Sequence, residues 1–343
     1  MRALQLEDYG RMAVVEMPDP TPGAGEIALD IVATGICGSD IHGFTGENGR
    51  RSHGQVMGHE SVGRIHALGA GVDASRYPLG APATFNPVVI APERRAQFAG
   101  REQHDPDRSV IGVDSARTSA FAQRMLVPAE NVVLLPTTMP LAYGALIEPL
   151  AVALNAVRRV GLTPGETVFV SGGGPIGQSV ILAALREGAS RVYVSEFSPE
   201  RRDLCASLGA HPLDPRVGAI ADQVLALEGG PVDVAIDAVG ISETLADCLS
   251  CTPYGGRVCL VGMGRPELTL SAFRVSTEER SIVGSFCYSF PVFEDAAAWA
   301  GQADPVLAKL ISLEVPLDDG HAAFERLATR ADVPGKILVR LDL

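Results

Sequence analysis

Residues 167–177 read TVFVSGGGPIG, and this stretch decides the fold. An apolar run typical of a buried strand leads directly into a G-x-G-x-x-G turn, which a helical apolar pattern follows. Gly172 permits the tight turn, Gly174 lets a pyrophosphate approach the backbone, and Gly177 lets the helix pack on the strand. Pro175 suits a first helical turn, whose free amides attract anions. The predicted cofactor contacts in this turn are Gly172, Gly174, Pro175, Ile176 and Gly177.

A second apolar run, residues 191–196, ends in the acid Glu196, about 20 residues after Gly177. At this spacing a carboxylate can accept hydrogen bonds from the adenosine ribose, so Glu196 is a predicted cofactor contact. A 2′-phosphate would meet a like charge there, so we expect NAD rather than NADP. Arg201 is a further candidate contact, although a solvated charge at the start of a helix is the simpler interpretation.

Strands and helices alternate from residue 167 onward. The predicted strands are 167–171, 191–196, 232–236, 257–261 and 281–285, and the predicted helices are 175–187, 199–208, 216–228 and 242–251. Such alternation implies right-handed crossovers and a parallel sheet. The sequence therefore predicts an α/β fold with a Rossmann doubly wound parallel sheet.

The chain before this alternation is β-rich, with strands expected at 27–33 and 61–68 and an irregular lobe at 91–120. A helix is expected at 151–160, and the chain ends in a strand at 336–341. We therefore expect three segments. Residues 1–152 form the first part of a β-rich catalytic domain, residues 153–289 form the dinucleotide-binding domain, and residues 290–343 return to the catalytic domain.

Composition excludes several classes of protein. The chain has 343 residues, enough for two domains, and its net charge is −13 without a basic run, so nucleic acid is not an expected partner. Its apolar stretches are shorter than the roughly 18 residues that suggest a membrane span. Acids appear within the first eight residues, which argues against a secretory signal. Its six cysteines in a long acidic chain do not suggest a disulfide framework. A cytoplasmic protein is expected.

Potential metal ligands cluster in three short segments of the first half. These segments are GICGSDIH at 35–42, GHE at 58–60 and IEPLA at 147–151. A catalytic zinc site uses three nitrogen, sulfur or oxygen ligands and keeps one position open. Cys37 and His59 supply a thiolate and an imidazole, and Glu148 offers a carboxylate where the β-rich pattern gives way to the strand–helix alternation.

Together with the glycine turn and the later motifs DAVG (237–240) and VG (261–262), these segments resemble the zinc-containing medium-chain dehydrogenases. The nearest branch contains the sorbitol, butanediol and threonine dehydrogenases. The resemblance covers essentially the whole chain and implies a GroES-like catalytic domain beside the Rossmann domain. It places Cys37, His59 and Glu148 at zinc-ligand positions and Glu60 where an acid can coordinate zinc in alternation with water. Which of the two glutamates is the inner-sphere ligand stays open.

The resemblance also implies roles in hydride transfer between a secondary alcohol and NAD. Zinc lowers the pKa of an oxygen that it binds, which makes an alcohol easier to oxidise. Ser39 is expected to bond the substrate oxygen and pass its proton toward His42, because imidazole titrates in the range that suits a relay. Further predicted contacts line the nicotinamide pocket: Val239, Val261, Gly262 and Ser285. The expected partners are a small alcohol or polyol and further copies of the chain, in a homodimer or homotetramer.

One departure from the family bears on metal content. The family often carries a structural zinc on four cysteines spaced by three, three and eight residues. The same register here holds Ala91, Arg94, Gln97 and Asp105. We therefore predict one catalytic zinc per chain and no structural zinc, with an Arg94–Asp105 ion pair as a hypothetical replacement for the metal.

Several alternatives remain open from the sequence. A zinc-free quinone or enoyl reductase on the same fold would lack the Cys/His/Glu set, and a non-catalytic nucleotide-binding relative would not need it. The segment after His42 could shape the substrate pocket, and an arginine there could accept an acidic substrate, although a solvated loop is the simpler interpretation. The residues concerned are Phe44, Thr45, Glu47, Asn48, Arg50 and Arg51.

Overall fold

A computed structural model describes residues 1–47, 49, 51–115, 117–329 and 333–342 of the chain. The chain divides into two compact units. Unit 1 comprises Met1–Glu148 and Ser289–Leu343, and unit 2 comprises Pro149–Tyr288. The chain therefore leaves the first unit, forms the second, and returns to the first.

Unit 2 is built around a parallel sheet, which confirms the predicted Rossmann fold. Its strands are β10 (Thr167–Ser171), β11 (Arg191–Ser195), β12 (His211–Leu213), β13 (Val234–Asp237), β14 (Arg257–Leu260) and β15 (Ser281–Gly284). Its helices are α3 (Ile147–Arg159, which begins in unit 1), α4 (Pro175–Arg186), α5 (Pro199–Ser207), α6 (Ile220–Glu228), α7 (Ser242–Cys251) and α8 (Ala272–Ser276). The strand order β12-β11-β10-β13-β14-β15 is that of a doubly wound dinucleotide-binding sheet.

The glycine turn joins β10 to α4 at the point where the strand order reverses. Gly172 has φ +93°, in the left-handed region that favours glycine. A Cβ at Gly177 would lie 1.8 Å from the Gly172 carbonyl oxygen, so only glycine fits at that contact between helix and strand. Pro175 begins α4, as predicted.

Two elements of this unit differ from the sequence-based prediction. The short strand β12 was not predicted, because it has three residues and contains Pro212, which is tolerated there at the edge of the sheet. Helix α3 begins at Ile147, before Pro149, rather than at residue 151. A proline in the first helical turn removes no hydrogen bond of the helix, so Pro149 does not delay its start.

Among its described residues, unit 1 contains a mostly antiparallel sheet, two two-stranded sheets and, besides the start of α3, four α-helices. Its strands are β1 (Arg2–Asp8), β2 (Arg11–Glu16), β3 (Glu26–Gly35), β4 (Glu60–Leu68), β5 (Pro82–Phe85), β6 (Val88–Val89), β7 (Ser109–Val110), β8 (Arg124–Pro128), β9 (Val132–Leu134), β16 (Ile311–Pro316) and β17 (Lys336–Arg340). The unit's α-helices beside α3 are α1 (Gly38–Thr45), α2 (Arg95–Phe98), α9 (Phe290–Ala300) and α10 (Gly320–Thr329).

The main sheet of unit 1 has the order β16-β17-β3-β4-β5-β9, and β8 pairs with β3. Its central strands bring distant parts of the chain together. Gly35 at the end of β3 lies opposite Glu60 on one side and Leu338 on the other. The start of β4 and the start of β17 therefore meet near the end of β3.

One segment satisfies the length and composition expected of a membrane span. It is Leu141–Arg159, which includes α3, and 78% of the window is buried inside the fold. Such burial is typical of a core helix.

Candidate active site

Cys37 lies at the junction of β3 and α1, two residues after the strand ends and one before the helix begins. The Cys37 amide donates a hydrogen bond of 3.1 Å to Asp40 Oδ2, which fixes the start of the helix. A helix N-terminus favours negative charge, so this position suits a thiolate.

Cys37, His59 and Glu60 come together in unit 1. One potential ligand atom from each lies within 4.8 Å of the others, and this is the one such group of three among the described residues. His59 is 6% exposed and Glu60 is fully buried. Gly58 precedes them with φ +106°, which turns the chain into β4. A partly exposed thiol beside a buried imidazole and a buried carboxylate, at this separation, matches the donors of a zinc site.

The electrostatics at His59 favour a positive charge. Burial alone would disfavour a charged imidazole, but Asp40, Cys37 and Glu148 outweigh it and raise the pKa of His59 to about 10. The same surroundings would stabilise a bound divalent cation, because the ion replaces the proton as the positive charge.

Glu148, in the first turn of α3, is 8% exposed and close enough for its charge to act on His59. It does not belong to the group that lies within 4.8 Å. The structure thus brings Cys37, His59 and Glu60 together and places Glu148 near them.

Lys336 is a member of this site that was not singled out from the sequence. Its Nζ donates to both carboxylate oxygens of Glu60, and its side chain is 4% exposed. Burial opposes the charge on Lys336, but Glu60, Cys37 and Glu148 raise its pKa. A Cβ at Gly35 would lie 2.5 Å from Glu60 Oε2, so the glycine leaves room for this carboxylate. The sequence feature that could have pointed to Lys336 is its rarity, because the chain has only two lysines and this one starts an apolar strand.

Asp40 and Arg51 lie behind His59. Asp40 Oδ1 is 3.7 Å from His59 Nδ1 and 3.7 Å from Arg51 Nη2. Burial raises the pKa of Asp40, and the charges of His59 and Arg51 oppose that rise. The interpretation of Arg51 as part of a solvated loop is wrong, because the residue is 3% exposed and its guanidinium lies beside Asp40. Asn48 and Arg50, named for the same loop, lie outside the described residues.

Ser39 and His42 lie three residues apart on α1, which places them on one face of the helix. Ser39 Oγ is buried and has no hydrogen-bond partner within the described part of the chain. The His42 side chain is largely exposed, and its Nδ1 is 2.9 Å from Glu47 Oε2. The pair therefore runs from a buried hydroxyl to an exposed imidazole.

The glycine turn of unit 2 is bordered by Glu196 and Arg201. Glu196 accepts hydrogen bonds from the amides of Gly173, at 3.0 Å, and Ser198, at 2.8 Å. A Cβ at Gly174 would lie 3.9 Å from Arg201 Nη1, so the guanidinium reaches the turn. The Nε atom of Arg201 is buried without a partner among the residues described.

The predicted contacts after β13 and β14 are held together by Asp237. Its carboxylate accepts from the amides of Val239 and Gly240, and its carbonyl oxygen accepts from the amides of Val261 and Gly262. A Cβ at Gly262 would lie 2.2 Å from the Val239 carbonyl carbon, so the two loops touch. Ser285, after β15, donates its amide to the Leu260 carbonyl oxygen at 3.0 Å, next to Val261.

Ser285 Oγ accepts a hydrogen bond of 2.9 Å from Asn155 Nδ2 on α3. This bond fixes the Ser285 hydroxyl within unit 2.

A polar lobe, residues 91–108, carries the Arg94–Asp105 contact. Arg94 Nε lies 2.8 and 2.9 Å from the two Asp105 oxygens, and Nη2 lies 2.6 Å from Oδ1. Asp105 is fully buried, and its hydrogen bonds from Arg94 hold the pKa of this carboxyl below its ordinary value. Arg94 also contacts Asp107 at 3.1 Å and packs on the Phe98 ring, 5.2 Å from its centroid. The hypothetical ion pair is therefore present.

Two protein families match the chain. The alcohol dehydrogenase GroES-like domain matches residues 23–137, and the zinc-binding dehydrogenase family matches residues 175–302. The first match lies within unit 1, and the second lies largely within unit 2.

Similar proteins cover nearly the whole chain. The 2-dehydro-3-deoxy-L-galactonate 5-dehydrogenase of Pseudoalteromonas atlantica is 31% identical over 318 residues, 92% of this chain and 91% of that protein. The crystal structure of the Bacillus subtilis 2R,3R-butanediol dehydrogenase has a TM-score of 0.89 at 26% identity and covers 99% of both chains. A protein from Sinorhizobium meliloti 1021, described as a zinc-binding dehydrogenase and bound to NADP, has a TM-score of 0.87 at 29% identity, covering 99% of this chain and 98% of that one.

Proposed function

The chain belongs to the zinc-binding alcohol dehydrogenase family, as its motifs predicted, and from that premise we propose that it transfers hydride between a small secondary alcohol and NAD. The observation that carries this proposal is the Cys37–His59–Glu60 cluster, in which the histidine and the glutamate are buried. The substrate proposed is a polyol, sugar alcohol or vicinal diol, since the similar proteins include a sugar-acid dehydrogenase and a butanediol dehydrogenase.

The residues of the cluster fit a zinc ion. Cys37 and His59 would hold it, together with one carboxylate. Glu60 is within reach but is bonded to Lys336, whereas Glu148 is nearby and its charge acts on His59. We propose that Glu148 completes the ligand set while Glu60 stays bonded to Lys336. Glu60 would be the alternative carboxylate ligand.

The bound metal would supply Lewis acidity, which stabilises negative charge on the substrate oxygen. Ser39 then has a defined task, because its buried Oγ, which has no hydrogen-bond partner among the described residues, can take the proton of the substrate hydroxyl while its own proton passes on toward His42. His42, on the same face of α1 and exposed, would pass that proton to solvent, with Glu47 orienting its ring. NAD bound at the glycine turn would accept the hydride from the carbon that bears the substrate hydroxyl, so an alcohol would give a carbonyl compound, a proton and NADH.

NAD is proposed as the cofactor because Glu196 borders the glycine turn. Its carboxylate would accept from the ribose hydroxyls and disfavour a 2′-phosphate. Arg201 is the residue that could counter this preference, since it reaches the same turn. Val239, Val261, Gly262 and Ser285 are proposed to line the nicotinamide side of the pocket.

One zinc per chain is proposed because the polar lobe offers no comparable donor set in the register 91, 94, 97 and 105. A homodimer or homotetramer in the cytoplasm is proposed from the resemblance and the acidic composition.

The deciding experiment combines metal analysis with an activity panel. Purified protein should contain about one zinc per chain, and zinc removal by a chelator should abolish NADH formation from polyols and diols. Activity on quinones or enoyl substrates without zinc would instead support the zinc-free reductase. Cofactor binding with no turnover on any alcohol would support the non-catalytic relative.

A further inference from the structure

Three buried polar atoms converge behind the candidate metal centre without conventional hydrogen bonds. They are Asp40 Oδ1, His59 Nδ1 and Arg51 Nη2, and within the described chain none of them has a hydrogen-bond partner. Each of the two nitrogens lies 3.7 Å from the carboxylate oxygen. The other oxygen of Asp40 accepts the Cys37 amide. The Asp40 carboxylate therefore lies beside two candidate ligands, Cys37 and His59. The Arg51 guanidinium lies next to the same carboxylate.

The fold makes specific room for the arginine. The Arg51 side chain is 1% exposed, and its Nη1 lies 3.4 Å from the Val113 carbonyl oxygen. A Cβ at Gly43 would lie 2.4 Å from Arg51 Cγ, so α1 accepts a glycine where the arginine packs. Glycine is unfavourable inside a helix, which indicates that the arginine packing outweighs the local cost.

We propose that Arg51 is a positioning residue for the metal centre, acting on His59 and Cys37 through Asp40. This inference rests on the proposed zinc site. Metal-bound histidines commonly donate their second ring N–H to a carboxylate, which fixes the ring and strengthens the metal bond. Arg51 supplies the charge that keeps this carboxylate in place away from water, because an unpaired carboxylate is costly to bury.

The arrangement differs from that of Lys336. Lys336 contacts Glu60, a member of the metal cluster, directly, whereas Arg51 contacts Asp40, which in turn lies beside His59. The effect of Arg51 should therefore disappear when Asp40 can no longer transmit it. This dependence separates a positioning role from general support of the fold.

The test measures zinc affinity of the full-length protein by competition with a chromophoric chelator. Arg51→Met should weaken zinc binding about tenfold, within the range found when outer ligands of metal-bound histidines are removed. Arg51→Lys, which retains the charge, should recover part of the loss. Arg117→Met is the matched control, because Arg117 pairs with Glu26 at 3.3 Å in a more exposed position of the same unit. Its zinc affinity should equal that of the wild type.

A double-mutant cycle completes the test. In an Asp40→Asn background, Arg51→Met should cause no further loss of zinc affinity, whereas an equal loss in both backgrounds would overturn the proposal. Unchanged zinc affinity in folded Arg51→Met would also overturn it. If that variant does not fold, Arg51→Lys decides, since it should bind zinc less tightly than the wild type but retain the thermal transition. Failure of the wild type itself to bind zinc would instead contradict the proposed function.

Discussion

Two polar regions of unit 1 differ in how their buried groups are satisfied. In the polar lobe, Arg94 and Asp105 meet in several hydrogen bonds of 2.6–2.9 Å. Around the candidate metal centre, Ser39 Oγ, His59 Nδ1 and Asp40 Oδ1 are buried without such bonds, judged within the described residues. Buried polar groups normally have hydrogen-bond partners. Those around the candidate metal centre lack them and surround metal-type donors, which suggests that a ligand binds there. In the polar lobe, by contrast, the protein supplies the partners itself.

The largest effect should come from removing a donor of the metal cluster. Cys37→Ser should lose zinc and lower kcat by at least about 10³-fold, since a catalytic metal contributes several kcal/mol to charge stabilisation. Metal content and initial rates measure the two together. Cys251→Ser is the control, because that buried thiol lies in unit 2 outside the cluster. A zinc-free Cys37→Ser protein with full activity would refute the metal assignment.

The next largest effect should be on stability, at the ion pair between Lys336 and Glu60. Lys336→Met leaves Glu60 as a buried charge without its cation, and such a loss costs about 3 kcal/mol. Urea denaturation of the metal-free protein should show this loss. The double variant Lys336→Met/Glu60→Gln should regain much of the stability. A double variant no more stable than Lys336→Met alone would argue against the pair.

Cofactor choice tests whether the acid beside the glycine turn acts on a ligand. Glu196→Ala should weaken NAD binding about tenfold, because a charge-assisted hydrogen bond is worth about 1.5–3 kcal/mol. It should also narrow the preference for NAD over NADP. Fluorescence titration with NADH and NADPH measures both, with Glu200→Ala, four residues further along on α5, as the control. An unchanged ratio would contradict the role of Glu196.

The polar lobe should respond to pH rather than to chelators. Arg94 holds the pKa of Asp105 below its ordinary value, so the pair stabilises the lobe above about pH 4 and this support is lost as pH falls through the lower folded value. Hydrogen-exchange protection factors over residues 91–108, corrected for the intrinsic exchange rate at each pH, should therefore fall in acid and in Asp105→Asn at pH 7. A chelator that strips zinc should leave them unchanged. Loss of protection on chelation would indicate a metal in the lobe.

The smallest effect is expected at the exposed end of the relay. His42→Ala should lower kcat several-fold and more strongly at lower pH, because solvent hydroxide can then no longer take the proton. NAD affinity should stay unchanged. A uniform deficit across pH would place His42 outside the proton path.

Local patterns carried most of the fold prediction. Strand β10 and the start of α4 were predicted to the residue, because apolar periodicity, the glycine turn and Pro175 all act within a few positions. The metal cluster followed from motifs with known spacing. Lys336 lies 276 residues from Glu60 in sequence, and no local pattern indicates that they meet. Arg51 was misjudged for the same reason, since its burial depends on the space left at Gly43.

The Arg94–Asp105 contact bears on how the protein would respond to oxidation and to loss of metal. The Arg94–Asp105 contact itself contains no thiolate for peroxide to attack, and its hydrogen bonds need no metal ion. With the proposed zinc on Cys37, oxidation of that thiolate or loss of the metal would stop turnover while the Arg94–Asp105 contact stays in place. Reduction of a sulfenic acid or disulfide at Cys37, followed by zinc, would then restore turnover without refolding.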